Sequence, residues 1–271
     1  MTLDRIRQIL VVLLALSQFI TPFLFRNDFD NTPSETPLYL LPAGYAFIVW
    51  LVIWILCASY ATYQLRPDQL ERSLHQDIGW HLIIIMTLFN IWLWAQQSAV
   101  TTATGGLQNP IWLIVTQLIL TGMLITAVVA FSEIRSFKDQ LQSLDLWLVQ
   151  VPFAVYFAWL TAAYSTGIAT YFYESGWVGT QLGVPLTVGI LIVVGIITST
   201  VIWQFNTTHG AVAYSTVIIW AVVSIAVQNL NQSQIVVIAA LVIAIAVLVA
   251  TMYTVNNRID GDPPTLITAL R

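Results

Sequence analysis

Eight apolar runs, each about the length of a bilayer crossing, alternate with short polar segments along the chain. A hydrocarbon core about 30 Å thick takes about 20 helical residues. The runs 9–25, 42–65, 79–99, 110–131, 146–168, 184–205, 211–228 and 233–255 all approach or meet that length. Arg5 and Arg7 ahead of the first run resemble the start of a signal peptide. The run is long for one, however, and no small-x-small cleavage site follows, so it reads as a retained helix. Between the runs, 26–41 is acidic and proline-bearing, and 66–77 and 133–145 are charged loops. Segment 169–183 carries Tyr171, Phe172, Tyr173 and Trp177, aromatics suited to a membrane interface.

The pattern predicts an all-α protein, a polytopic transmembrane bundle of eight helices. Composition agrees: 58% of residues are hydrophobic and 8% charged, and mean hydropathy is +0.81. Soluble chains carry about 25% charged residues. With the N-terminus cytoplasmic, Arg5, Arg7, Arg66, Arg72, Arg135, Lys138, Arg258 and Arg271 fall inside and Arg26 alone outside, so the 9 basic residues divide as 8 plus 1. That asymmetry follows the positive-inside rule and places both termini in the cytoplasm. The reading is a multi-pass protein of a bacterial plasma membrane. A net charge of −4 excludes a nucleic-acid partner. The single cysteine, Cys57, excludes an internal disulfide and a cysteine-based metal cluster.

Candidate chemistry is aromatic. Trp50 and Trp54 lie one helical turn apart, in a stripe continued by Phe47, Cys57 and Ala61. Counted from Pro42, Trp50 lies about 12 Å into the membrane, deeper than the interfacial belts where membrane tryptophans gather. Counted from the other side, Trp159 comes to about 20 Å and Asn90 to about 16 Å. Three helices therefore place two indoles and an amide in one slab. The face of the third helix reads Met86, Asn90, Trp94 and Gln97, and that of the fifth reads Pro152, Tyr156, Trp159 and Ala163. Close packing and a ligand cavity are both consistent with large aromatics beside small residues. Asn90, Gln117 and Gln150 each need a partner in hydrocarbon, from a neighbouring helix or from a ligand. No Asp, Glu, Lys or Arg falls mid-span, which weighs against proton pumps and voltage sensors. His75 and His209 are placed in loops and His81 near a helix end, where a solvated ring is the ordinary reading and ligation of a tetrapyrrole's metal by His81 the less favoured one.

The motifs Pro42–Gly44–Phe47–Trp50 with Trp54, Phe89-Asn90-Ile91-Trp92, and Pro152 followed by Tyr156-Phe157-Ala158-Trp159-Leu160-Thr161-Ala162-Ala163 resemble the tryptophan-rich sensory protein family (TspO/MBR). That family includes the mitochondrial translocator protein. The Tyr156–Ala163 run looks like the longer branch of such proteins, and the segment 213–221 with Trp220 resembles its late tryptophan segment. The resemblance implies a five-helix membrane core over 1–168, three additional helices over 169–255 and a cytoplasmic tail over 256–271. It also implies binding of a planar tetrapyrrole such as protoporphyrin or haem, or a sterol-like molecule, for sensing, handling or transport. No resident cofactor is assigned; the tetrapyrrole would be a ligand.

The expected site is Phe47, Trp50, Trp54, Asn90, Trp94, Tyr156, Trp159 and Ala163, with no catalytic or metal-binding residue. The expected partners are the lipid bilayer and a hydrophobic small molecule, with a homodimer allowed. Two other functions fit the same pattern: a small-solute transporter without intramembrane charge, and a scaffold or assembly subunit whose tryptophans only pack. Enzyme activity is not indicated, since no acid–base pair lies in the slab.

Overall fold

The computed structural model describes residues 2–25, 38–99, 110–176 and 180–259. Eight helices among them are long and apolar enough to cross a membrane. They are α1 (Leu3–Leu24), α2 (Gly44–Gln64), α3 (Ser73–Ala99), α4 (Pro110–Ser136), α5, α6 (Thr180–Gln204), α7 (Thr208–Gln228) and α8 (Gln234–Ile259). Helix α5 is built from Ser143–Asp145, the π-helical turn Leu146–Gln150 and Val151–Glu174.

Most helices run past the bounds expected from the apolar runs, because helical hydrogen bonding continues into polar segments that composition marks as loops. Helix α1 begins at Leu3, capped by the Thr2 hydroxyl on the Arg5 N–H at 3.4 Å, so Arg5 and Arg7 lie inside the helix. The expected loop 66–77 is a 3-10 turn, Pro67–Gln69, followed by the first turn of α3. His75 is consequently a buried helix residue. Tyr171, Phe172 and Tyr173 close α5 instead of forming a loop, while Trp177 lies outside the described residues. The segments 26–37, 100–109 and 260–271 also lie outside them. At the other extreme, Gly44–Ile48 opens α2 as a 3-10 turn just after Pro42.

Five helices close into a ring in the order α1, α2, α5, α4, α3, with α3 returning to α1. Helix α7 packs on the outside of α5, and α8 packs against both α7 and α6. One end of the bundle carries Arg5, Arg7, Arg66, Arg72, Arg135 and Lys138; it is called the basic end below. Each crossing helix presents one buried stripe, such as Ile53, Cys57, Tyr60 and Gln64 on α2, or Leu82, Ile85, Met86 and Phe89 on α3. The opposite faces expose Leu, Ile and Val, which lipid accepts and water would not.

Candidate functional site

Trp50 sits at the top of the inward stripe of α2, half-buried within the ring. Four rings from two other helices surround it. Phe89 and Trp92 of α3 lie at centroid distances of 4.6 and 6.3 Å, and Tyr156 and Trp159 of α5 lie edge-on at 6.1 Å each. Phe47, one turn before Trp50, meets Trp159 at 6.0 Å and 90°. Such edge-to-face pairs bring the positive rim of one ring onto the negative face of another and contribute about 1 kcal/mol each beyond burial. Phe47, Trp50, Tyr156 and Trp159 are thus brought together, from non-neighbouring segments, at one level of the membrane.

The other expected residues lie around this cluster. Asn90 turns toward α1, donating to the Ser17 hydroxyl at 2.8 Å and accepting from the Gln18 amide at 3.4 Å. Gln18 is fully buried and in turn accepts from the Tyr156 hydroxyl at 3.5 Å. A polar thread therefore runs from Asn90 to the floor of the cluster. Trp54 packs edge-on against Phe19 of α1 at 5.8 Å, in the seam between α1 and α2. Ala163 is half-buried one turn beyond Trp159. Trp94 is 47% exposed and packs edge-on against Trp112 of α4 at 5.2 Å, away from the cluster. Trp92 occupies the inward position instead, and the amides Gln117 and Gln150 bond to Tyr164 O and the Thr207 hydroxyl.

Sequence reasoning missed Trp92 and Gln18. The stripe Leu82, Ile85, Phe89, Trp92 follows the same spacing rule as Met86, Asn90, Trp94, rotated by about 100°. Only the face carrying Asn90 was read from the sequence, and that amide is satisfied sideways on α1. Gln18 is signalled only by being a lone amide in an apolar run.

Among the described residues, the indole N–H groups of Trp92 and Trp159 are buried and donate to nothing, as is that of Trp54. Trp92 and Trp159 are 7% and 3% exposed. An unpaired buried donor costs about 1–3 kcal/mol, so two in one aromatic cluster are a standing demand for an acceptor.

At the basic end a second constellation draws its partners from inside the fold, with Arg7 Nε left unpartnered. Asp145, with no exposed surface, takes Arg72 through both carboxylate oxygens at 2.9 and 2.7 Å, the Tyr63 hydroxyl at 2.8 Å and the Gln142 N–H at 2.7 Å. The hydrogen bond to Asp145 holds the Arg72 guanidinium above its ordinary pKa. Fully buried Arg7 donates to Gln64 Oε1 and to the carbonyls of Leu70 and His75. His75 lies between the Tyr60 hydroxyl at 3.3 Å and Gln69 Oε1 at 2.9 Å. His81 is paired with Glu133 at 3.2 Å, not simply solvated. These contacts fasten α1, α2, α3 and α5 together; no group of three metal-ligating side chains occurs among the described residues.

Helix α7 reaches back to the start of α2. The Trp220 indole donates to Ala46 O at 3.1 Å, Ala43 N–H donates to Ser224 O at 3.2 Å, and Asn229 donates to Tyr39 O at 2.8 Å. Trp220 also meets Tyr45 edge-on at 5.4 Å. The 3-10 turn that delivers Phe47 and Trp50 is therefore held by an element outside the ring.

A family model for the TSPO-like protein matches residues 6–253. The chain belongs to the TSPO-like protein family. The match runs beyond the five-helix ring through α6 and α7 and into α8, so the last three helices of this TSPO-like chain fall within the family pattern. No curated protein matches the chain, and no solved structure matches it. As a TSPO-like protein with eight apolar helices it is a multi-pass membrane protein embedded in a lipid bilayer.

Proposed function

We propose that the protein binds a planar hydrophobic ligand, a tetrapyrrole in the first instance, at the Trp50 cluster inside the ring. Membership of the TSPO-like family supports a membrane protein of ligand-binding or sensing type in general. The observation that carries the specific reading is the pairing of aromatic surface with unspent donors. Trp50 is flanked by rings from α3 and α5, while the Trp92 and Trp159 N–H groups point at no acceptor. A flat conjugated molecule with carbonyl or carboxylate oxygens supplies both a face for stacking and the missing acceptors.

The cluster closes on itself, so a ligand must part the rings. Separating two or three edge contacts costs about 2–4 kcal/mol, which stacking on a larger conjugated surface offsets. Trp50 is the ring to move, being half-buried where Tyr156 and Trp159 are fully packed. Asn90, engaged with Ser17 and Gln18, has the part of a positioning residue that fixes α3 against α1. We place the basic end in the cytoplasm of a bacterial cell, with both termini there, on the distribution of arginine and lysine.

Titration with protoporphyrin, read by quenching of tryptophan emission and by the shift of the porphyrin absorption band, tests the site. Trp50→Ala and Trp159→Phe should each weaken binding at least tenfold, the second because it keeps a ring and deletes the N–H. Trp203→Phe, at an exposed position on α6, should leave affinity unchanged. Equal affinity in all three variants would remove the proposed site.

A further inference from the structure

A groove of about 670 Å³ runs down the outside of the ring between α2 and α7, floored by the first turns of α5. It is separate from the Trp50 cluster. Ile48, Val52 and Leu56 line it from one face of α2, whereas Trp50, Ile53 and Cys57 turn inward from the other. Its walls are aliphatic, and Val52, Trp147, Val212 and Trp220 on its rim are exposed where the bilayer lies.

Polar capacity is greatest at one end of it, although the Thr216 hydroxyl also lines it farther along α7. At the basic end, neither the Thr208 hydroxyl nor a ring nitrogen of His209 hydrogen-bonds to another described residue, and the His209 ring is braced edge-on by Trp147 at 4.8 Å. These residues stand in the first turn of α7, where free backbone N–H groups and the helix dipole favour negative charge. Toward the far end the Trp220 N–H is already given to Ala46 O, which leaves the Thr216 hydroxyl, one turn nearer the basic end, among the described lining residues. With two polar side chains and the helix start at the basic end against one hydroxyl farther along, an occupant is favoured that carries its charged group at the basic end and is mainly hydrocarbon beyond it. From Thr208 to Trp220 the groove is about 18 Å long, close to one leaflet of a hydrocarbon core about 30 Å thick.

We propose that this groove holds one phospholipid of the leaflet on the basic side. Its acyl chains lie along Val52, Val155 and Ala213, and its phosphate accepts from Thr208, His209 and the first turn of α7. The lipid fills the seam between the ring and α7 and so becomes part of the wall behind α2. This site stands independently of the tetrapyrrole reading, since no lining residue belongs to the Trp50 cluster.

The test is native mass spectrometry of the full chain released from nanodiscs of phosphatidylcholine and phosphatidylglycerol. Wild type should retain one phospholipid per chain under collisional activation that strips the remaining lipid. Ala213→Phe and Val52→Trp, which fill the groove, should lower that retention at least fivefold. The pair Thr208→Val with His209→Ala should lower it at least threefold. Ile192→Phe, adding bulk at an exposed position of α6, should not change it. Val52 already faces lipid, so Val52→Trp keeps the test alive should Ala213→Phe fail to fold. No retained lipid in wild type, equal retention in Val52→Trp, or retention from cell membranes of a single-chain or ring-fused lipid in place of a phospholipid would each overturn the proposal.

Discussion

Arg7 shows what one residue demands of its neighbours. Its side chain lies wholly within the protein against Gly79, where an added Cβ would stand 2.8 Å from Arg7 Cδ. Gly79→Ala should therefore cost about 1–3 kcal/mol, the usual penalty for overpacking. The same change in an Arg7→Ala background should cost far less, since the obstructing carbons are gone. Thermal unfolding of the four proteins in detergent measures this coupling, and additive losses would contradict it. Asp145 is the complementary case, a buried carboxylate with four hydrogen bonds from three partners. Asp145→Ala leaves Arg72 facing a buried void and should lower stability by about 3–5 kcal/mol. Neither role was readable beforehand: a loop rich in charge and a buried, hydrogen-bonded polar plug have the same composition. By contrast, the meeting of Trp50 with Trp159 was readable, because rise per residue fixes depth once the ends of a span are known. The phase of α3 was not, because Asn90 and Phe89 offer competing faces and only the packing on α1 chooses between them.

At the level of elements, α2 is the part whose position depends most on something distant. It opens in a 3-10 turn that provides Phe47, then Trp50, and that turn is tied to α7 by the Trp220 indole. Trp220→Phe keeps the ring against Tyr45 and removes the indole donor, leaving Ala46 O with the Val49 N–H alone. The expected loss is that of one hydrogen bond, about 0.5–1.5 kcal/mol of stability. A second effect should accompany it: weaker protoporphyrin binding without contact between Trp220 and the ligand, because Phe47 and Trp50 are less firmly presented. A Trp220→Phe protein with wild-type affinity and melting temperature would show that α7 does not position α2. The late tryptophan was visible through the resemblance of segment 213–221 to the family's late tryptophan segment, but its partner was not. A hydrogen bond from residue 220 to residue 46 leaves no trace in local periodicity, and the expected division of the chain after 168 did not foresee α7 as a brace for the ring.

For the molecule as a whole, the eight crossings were legible because run length and hydropathy answer directly to bilayer thickness. The order of helices around the ring was not, since every apolar face is equally acceptable to lipid and only side-chain fit selects neighbours. Orientation rests on a different quantity, the sidedness of charge, and it can be read out independently of any ligand. The chain's single cysteine, Cys57, is buried, so a cysteine introduced at the surface reports alone. Asp139 and Gln232 are exposed at opposite ends of the bundle, Asp139 between α4 and α5 at the basic end and Gln232 between α7 and α8. With the basic end cytoplasmic, Gln232→Cys should react with a membrane-impermeant maleimide in intact cells, or in spheroplasts where an outer barrier intervenes. Asp139→Cys should react only after the membrane is opened. The reverse pattern would invert the protein, turn the phosphate end of the α2–α7 groove to the outer leaflet and break the positive-inside assignment. Labelling of both in intact cells would mean that the two connections share a side, which an even number of crossings between them would require and the three crossings α5, α6 and α7 do not allow.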